Sequence, residues 1–170
     1  WPILNNRYLI LSLIGKGGYS EVYKAYDLVQ HINVACKIHQ LDTNWSDNIK
    51  ELYIRHTIRE NKIHQKITHE KVVKHYNTVE IDNDSFATIL ELCSGPDLSQ
   101  YLKLNGHLSE REAKIIIKQI IIGLIELHKM GIIHYDLKPQ NIIFHKGEIK
   151  ISDFGLAKEM ENKDKIELTC

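Results

Sequence analysis

Four residues in the second half of the chain have the types and the order needed to move a phosphoryl group. Asp136, Lys138 and Asn141 lie in the run His134-Tyr135-Asp136-Leu137-Lys138-Pro139-Gln140-Asn141, and Asp153 opens Asp153-Phe154-Gly155. Phosphoryl transfer needs a carboxylate to orient the attacking hydroxyl and accept its proton, which suits Asp136. It also needs hard oxygen ligands for Mg²⁺, and the Asn141 amide and the Asp153 carboxylate supply them. Lys138 brings a cation for the transferred phosphate.

Two stretches further upstream fit the same chemistry. In Gly15-Lys16-Gly17-Gly18-Tyr19-Ser20-Glu21-Val22 the glycines let backbone N–H groups approach phosphate oxygens. A plain β-hairpin would read the same way. A strand pattern follows this turn where a dinucleotide fingerprint or a Walker A loop would continue into a helix. In Val34-Ala35-Cys36-Lys37 the lysine ends an apolar strand, where it would by default reach for solvent. On the helix expected next, Ile49, Leu52, Tyr53, His56, Ile63 and Ile67 form an inward stripe with Glu60 in its middle. A Lys37–Glu60 ion pair directed at the nucleotide phosphates accounts for both residues; an exposed Glu60 is the alternative.

The elements that position these groups read as strands first and helices second. Strand patterns run from Tyr8 to Ile14, Glu21 to Tyr26, Asn33 to Ile38, Val72 to Ile81 and Phe86 to Leu92, with a helix from Asp47 to Ile67. After Gly95-Pro96 the pattern turns helical. Ser109 to Met130 opens with a capping box, Ser109 with Glu112, and its Ile and Leu residues go round the whole circumference, which predicts a central buried helix. Short strands at Ile142 to Phe144 and Glu148 to Ser152 follow. This order predicts an α+β fold of two lobes hinged at Cys93 to Asp97. Lys and Arg total 22 against 22 Asp and Glu, so no net field favours nucleic acid or a membrane surface. Three scattered cysteines, Cys36, Cys93 and Cys170, argue against a disulfide framework and for a reducing compartment. The ten histidines show no metal-binding spacing, and His39 and His64 are expected at the surface or in a second layer; His134 is expected to pack beside Phe154.

Taken in order, these motifs resemble the eukaryotic protein kinase set, and Lys138 after Asp136 resembles serine/threonine kinases. More narrowly, the run Gly-Gly-Tyr-Ser-Glu-Val-Tyr-Lys-Ala-Tyr-Asp-Leu at 17 to 28, Cys36 to Leu41 and Ile132 to Asp136 resemble the Tousled-like kinases. The resemblance implies a bilobal fold, with an antiparallel β N-lobe carrying one long helix over residues 1–92, a hinge at 93–97 and an incomplete helical C-lobe over 98–170. It implies ATP and Mg²⁺ as cofactors. Catalytic roles would fall to Asp136, Lys138, Lys37 and Glu60, and metal ligation to Asn141 and Asp153. ATP would be held by Ile14, Gly15, Gly17, Gly18, Ser20, Val22, Ala35, Lys37, Glu91, Cys93, Asp97 and Ile143. It further implies transfer of the γ-phosphate to Ser/Thr hydroxyls, nuclear protein substrates such as histone chaperones or other chromatin proteins, and self-association through coiled coils outside this sequence.

Two departures stand out: Ser20 replaces the third glycine, and Tyr135 replaces an Arg that in most kinases clamps a phosphate on the activation loop. Tyr carries no charge, so activation is expected to proceed without that clamp. The sequence also reads as an excerpt ending inside an activation segment at Thr169-Cys170, before the anchoring Ala-Pro-Glu-type motif. An inactive or weakly active ATP-binding module, or a non-functional fragment, therefore stand beside the enzyme reading.

Overall fold

The structure, a computed structural model, describes residues 2–160. The chain divides into two compact units, Trp1–Gln65 with Lys74–Leu92, and Lys66–Val73 with Cys93–Cys170.

The first unit is built on a six-stranded antiparallel sheet. Its strands are β1 (Ile3–Leu4), β2 (Tyr8–Lys16), β3 (Ser20–Asp27) and β4 (Ile32–Gln40), followed by helix α1 (Asp47–His64) and strands β5 (His75–Asp82) and β6 (Ser85–Glu91). The order across the sheet is β1-β2-β3-β4-β6-β5. Side chains alternate between faces along each strand. Val34 and Cys36 of β4 join Tyr8, Ile10, Ala25, Val79, Ala87 and Ile89 in the buried core on one face. Ala35, Lys37 and His39 therefore project from the other face, where α1 packs. The β3–β4 turn is closed by Asp27, whose carboxylate accepts from Arg7 Nη2 at 2.7 Å, Arg7 Nε at 2.9 Å and the Val29 and Gln30 amides. The Arg7 guanidinium holds this carboxyl down at about 2.

Helix α1 corrects the sequence reading in two ways. It ends at His64 rather than Ile67, and three of its four buried residues are polar, with Ile63 buried as expected. Thr57, Asn61, Ile63 and His64 are buried, whereas Ile49, Leu52 and Ile58 are exposed. The reason is the surface it meets: β4 and β6 present His39 and Thr88 to the helix, so hydrogen-bonding residues are selected there. His39 and His64 are both 3% exposed, not surface residues.

The second unit contains helices α2 (Leu98–Asn105) and α3 (Glu110–Lys129), strand β7 (Ile132–Ile133), the hairpin β8 (Ile142–His145) and β9 (Glu148–Ile151), and strand β10 (Lys158–Glu159). The capping box of α3 forms as its sequence predicts: Ser109 Oγ accepts from the Glu112 amide at 3.2 Å, and Glu112 Oε2 accepts from the Ser109 amide at 2.8 Å. The buried face of α3, however, is one stripe, Ile116, Gly123 and Leu127, and Ile115, Ile117, Ile121, Ile122 and Ile125 are exposed among the described residues. Within the described residues the other apolar faces of α3 are left uncovered. Gly123 lets α3 approach β9 closely, since a Cβ there would stand 2.8 Å from Ile151 Cδ1 and 3.2 Å from Lys71 Cβ. The Lys71 ammonium is buried, donating to Glu148 Oε2 at 2.8 Å and to Gln119 Oε1 at 3.1 Å. Residues 71–73 run beside β9, with the Ile151 amide donating to Lys71 O and the Val73 amide to Ile151 O. Strand β9, which leads into Asp153, is thus fixed on both sides. Among the described residues no helix is long and apolar enough to cross a membrane.

Candidate active site

In the first unit the glycine-rich turn connects β2 to β3 as a tight hairpin. Gly15 pairs with Val22 in register, the Gly17 amide donates to Ser20 O at 2.7 Å, and Lys16 bridges Glu21 at 2.9 Å. A Cβ on Gly18 would meet nothing within 4 Å, so the turn presents open backbone. Ser20 fits at the start of β3 without distortion. Val22 sits opposite Lys37, and Lys37 opposite Thr88, which puts all three on one face of the sheet. Ala35 is buried and Ile14 is 52% exposed. Glu60 is half-buried on α1 and its charge helps to push the Tyr53 hydroxyl up, after burial. Burial first, then the Lys37 charge, pushes the His39 imidazole down to about 3. Tyr53 and His39 are hydrogen-bonded, 2.9 Å between Oη and Nδ1. The charges of Lys37 and Glu60 therefore act on the two partners of a single bond. Glu91 closes β6 and its Oε2 accepts from the Lys74 amide at 3.1 Å.

In the second unit three of the expected residues converge. Lys138 Nζ lies 3.2 Å from Asp136 Oδ2, and Asn141 Nδ2 donates to Asp136 O at 2.8 Å and to Asp136 Oδ2 at 3.2 Å. Asn141 closes the short 3-10 turn Pro139–Asn141, and its own carbonyl accepts the Ser152 amide at 2.9 Å, which ties this loop to the segment carrying Asp153. Asn141 spends its amide nitrogen on Asp136, leaving Oδ1 as an acceptor. Asp153 Oδ1 accepts from the Gly155 amide at 3.1 Å. Two hard oxygens on residues of this kind fit Mg²⁺.

The backbone is strained where this chemistry would sit: Tyr135 has φ 62° and Asp153 φ 61°, left-handed values uncommon outside glycine. His134 steadies both places. Its ring packs edge-on to Phe154 at 5.0 Å, its Nε2 lies 2.9 Å from Ser152 O, and its Nδ1 takes the Asp136 amide at 3.1 Å. Nδ1 accepts and Nε2 donates, so both ring nitrogens are engaged in holding the backbone.

The segment around 93–97 is stitched to β8. The Gly95 amide donates to Phe144 O and the Phe144 amide to Pro96 O, both at 3.0 Å, and Asp97 bridges Ile143. A Cβ on Gly95 would stand 2.9 Å from Phe144 Cβ, so only glycine allows this approach. Asp97 has a second task the sequence reading missed: its Oδ1 caps α2, accepting the Gln100 amide at 2.9 Å. The cue, Asp97 followed by Gln100 at the third position, was present in the sequence. Cys93 is half-buried; Cys36 is fully buried, which pushes its thiol up to about 12, so it is no nucleophile.

Tyr135 faces the start of the charged run Lys158 to Glu167, whose composition suits a solvated segment. Lys158 Nζ sits 5.2 Å from the Tyr135 ring centroid. Strand β10 pairs antiparallel with β7, the Met160 amide donates to Gly131 O at 2.8 Å, and Lys66 Nζ binds both Glu159 oxygens. The remainder of that run, residues 161–167, lies outside the described residues.

This arrangement, a carboxylate met by a lysine and an asparagine ahead of an Asp-Phe-Gly turn, defines a class. The profile of the protein kinase domain matches residues 8–170, and the chain belongs to that family. Within it, the chain is 52% identical over 165 residues to the serine/threonine-protein kinase TOUSLED of Arabidopsis thaliana, and 52% identical over 167 residues to the serine/threonine-protein kinase tousled-like 2 of Homo sapiens. It is 47% identical to the serine/threonine-protein kinase tousled-like 1 of Caenorhabditis elegans. The resemblance carried by residues 17–28 and 36–41 is thereby borne out. Each alignment covers 95% of this chain but 24%, 22% and 17% of the respective relative, so the chain spans about a quarter of their length or less.

Proposed function

We propose that the chain carries the phosphoryl-transfer residues of an ATP- and Mg²⁺-dependent serine/threonine protein kinase of the Tousled-like kind. The observation that carries the reading is the convergence of Lys138 and Asn141 on the Asp136 carboxylate. Asp136 orients a Ser or Thr hydroxyl and takes its proton as the new oxygen–phosphorus bond forms and the bond to the β-phosphate oxygen breaks, releasing ADP. Lys138, released from Asp136, offsets charge on the γ-phosphate. Asn141 and Asp153 are the metal ligands, and Mg²⁺ when bound neutralises phosphate charge. On the first unit, Gly15, Gly17, Gly18 and Ser20 offer backbone to phosphates, Lys37 braced by Glu60 binds them, and Ile14, Val22, Ala35 and Glu91 face the base. On the second, Cys93, Asp97 and Ile143 complete the nucleotide contacts, with 93–97 as the linker between lobes 1–92 and 98–170. Asp97 Oδ2 is left for the ribose by the capping role of Oδ1.

The similarity to Tousled-like kinases supports nuclear location, chromatin proteins such as histone chaperones as substrates, and oligomerisation through other regions. Lys158 over Tyr135, with the β7–β10 pairing, supports a loop start ordered without a phosphate clamp.

The test uses the gene product that contains this chain and radiolabelled ATP with Ser-, Thr- and Tyr-containing peptides. Transfer to Ser or Thr, a 10²- to 10⁴-fold loss in Asp136→Asn and retained nucleotide binding are expected. Nucleotide binding without transfer would favour the inactive-module reading; binding of neither ATP nor ADP would end both.

A further inference from the structure

We propose that Tyr53 is a positioning residue that joins the tip of the glycine-rich turn to the helix bearing Glu60. The inference rests on the kinase reading above and adds a residue outside the motifs that carry it.

Tyr53 works at both ends. Its ring lies 5.6 Å from Trp45 and 6.3 Å from Tyr19, and Tyr19 in turn packs edge-on to Trp45 at 4.8 Å. Tyr19 is 59% exposed at the tip of a turn whose Gly17 and Gly18 impose little conformation of their own, so this aromatic docking fixes where the tip rests. The hydroxyl of Tyr53 points the other way, into a buried polar chain. It meets His39 Nδ1 at 2.9 Å, His39 Nε2 lies 3.4 Å from Thr88 Oγ1, and Thr88 Oγ1 donates to Asn61 Oδ1 at 3.4 Å. The direction of the protons follows. Thr88 gives its hydrogen to Asn61, so it accepts from His39 Nε2, and Nδ1 is left to accept from Tyr53. His39 is neutral in its buried site and the Tyr53 hydroxyl keeps its proton, as this order requires. His39 lies flat on Phe86, 4.6 Å away at 10°.

The ends of this chain are the reactive positions. His39 stands two residues from Lys37 on the same face of β4, and Asn61 adjoins Glu60. A shift of Tyr53 therefore moves the turn tip through Tyr19 and Trp45, and α1 relative to β4 through His39. Simple filling of a half-exposed hollow would need the ring but not the hydroxyl, and that difference makes the proposal testable.

The gene product containing this chain is made with Tyr53→Phe, Tyr53→Leu and Trp45→Leu. Expected are a kcat 3- to 10-fold lower with KM for ATP within twofold in Tyr53→Phe, and a KM for ATP 3- to 10-fold higher with kcat nearly kept in Trp45→Leu. Tyr53→Leu should show both defects. Nucleotide-free hydrogen exchange gives a readout besides activity: Trp45→Leu should speed exchange of the Gly17 amide alone, Tyr53→Phe that of α1 amides 57–61 alone. Variants matching wild type in both assays, or all three losing kcat by one common factor with unchanged KM and uniformly faster exchange, would overturn the proposal. If wild type itself neither binds ATP nor transfers phosphate, the kinase reading fails instead, while the exchange pattern still reports on the Tyr53 contacts.

Discussion

His39 should make the first unit sensitive to mild acid, and the size of the effect can be worked from its site. In the unfolded chain an imidazole takes its proton near 6.5, whereas in the fold burial holds it to about 3. Between those values the unfolded state binds more protons, so stability rises with pH across the window and the full contribution is present above it. At pH 5 the folded ring is still neutral and about 97% of the unfolded rings are charged, which costs the fold about 2 kcal/mol relative to pH 7 or above. His39→Phe keeps the stack on Phe86 and cannot titrate. It gives up the bonds to Tyr53 and Thr88, worth about 1–2 kcal/mol together, since Thr88 keeps Asn61 and water can reach the half-buried Tyr53. Wild type should therefore be the more stable at pH 7 and lose that advantage near pH 5, so the two stability curves cross. Urea unfolding followed by tryptophan emission at pH 7, 6 and 5 measures this. The other histidines are common to both proteins and cancel in the difference. Parallel curves would refute the reasoning, because they would mean that His39 is charged in the fold or that the network does not exclude water.

Three other outcomes are expected. Gly123→Ala gains helix propensity of about 1 kcal/mol but forces a methyl against Ile151 and the stem of Lys71, and should lower the melting temperature by a net 1–2 kcal/mol equivalent. Asp27→Asn should cost about 1–2 kcal/mol at pH 7 and little at about pH 2 and below, since the depressed carboxyl stabilises fully above the unfolded value near 4 and loses that as pH falls through about 2; acid titration of melting temperatures checks the convergence. Tyr135→Arg sets a guanidinium beside Lys158 and should lower transfer activity several-fold, with recovery in the Tyr135→Arg, Lys158→Glu double variant, where an ion pair replaces the cation–π contact.

The sequence shows most plainly what chemistry imposes. Asp136, Lys138, Asn141 and Asp153 are legible because the reaction needs a base, a cation and hard oxygen ligands brought close together, and the capping box of α3 because backbone amides need partners. The strands were legible within two or three residues through their alternation. The polar face of α1 was not, since hydrophobic periodicity cannot mark Asn61 as inward when its partner, Thr88, lies on β6, nor Thr57, whose hydroxyl donates to Tyr53 O within the helix. On α3, apolar residues on every side are a statement about what a helix could bury, whereas Ile116, Gly123 and Leu127 are its buried positions among the described residues. Strands β7 and β10, two residues each, carry no period at all, and they exist because each supplies the other's backbone partners.

The bonds made by Asn141 also show what an amide does beside Asp136 that a carboxylate could not. An Asp there would set a second negative oxygen within about 3 Å of Asp136 Oδ2 and of its carbonyl, at the positions Nδ2 now fills with hydrogens. One of the two acids would then retain a proton, and the loop would trade a ready acceptor for a protonated pair. With asparagine the local charge count stays at one anion, Asp136, matched by one cation, Lys138, until phosphate arrives to compete for the cation. The position thus behaves as a charge-neutral spacer: it donates to Asp136 on one side, offers an acceptor on the other, and adds no charge of its own.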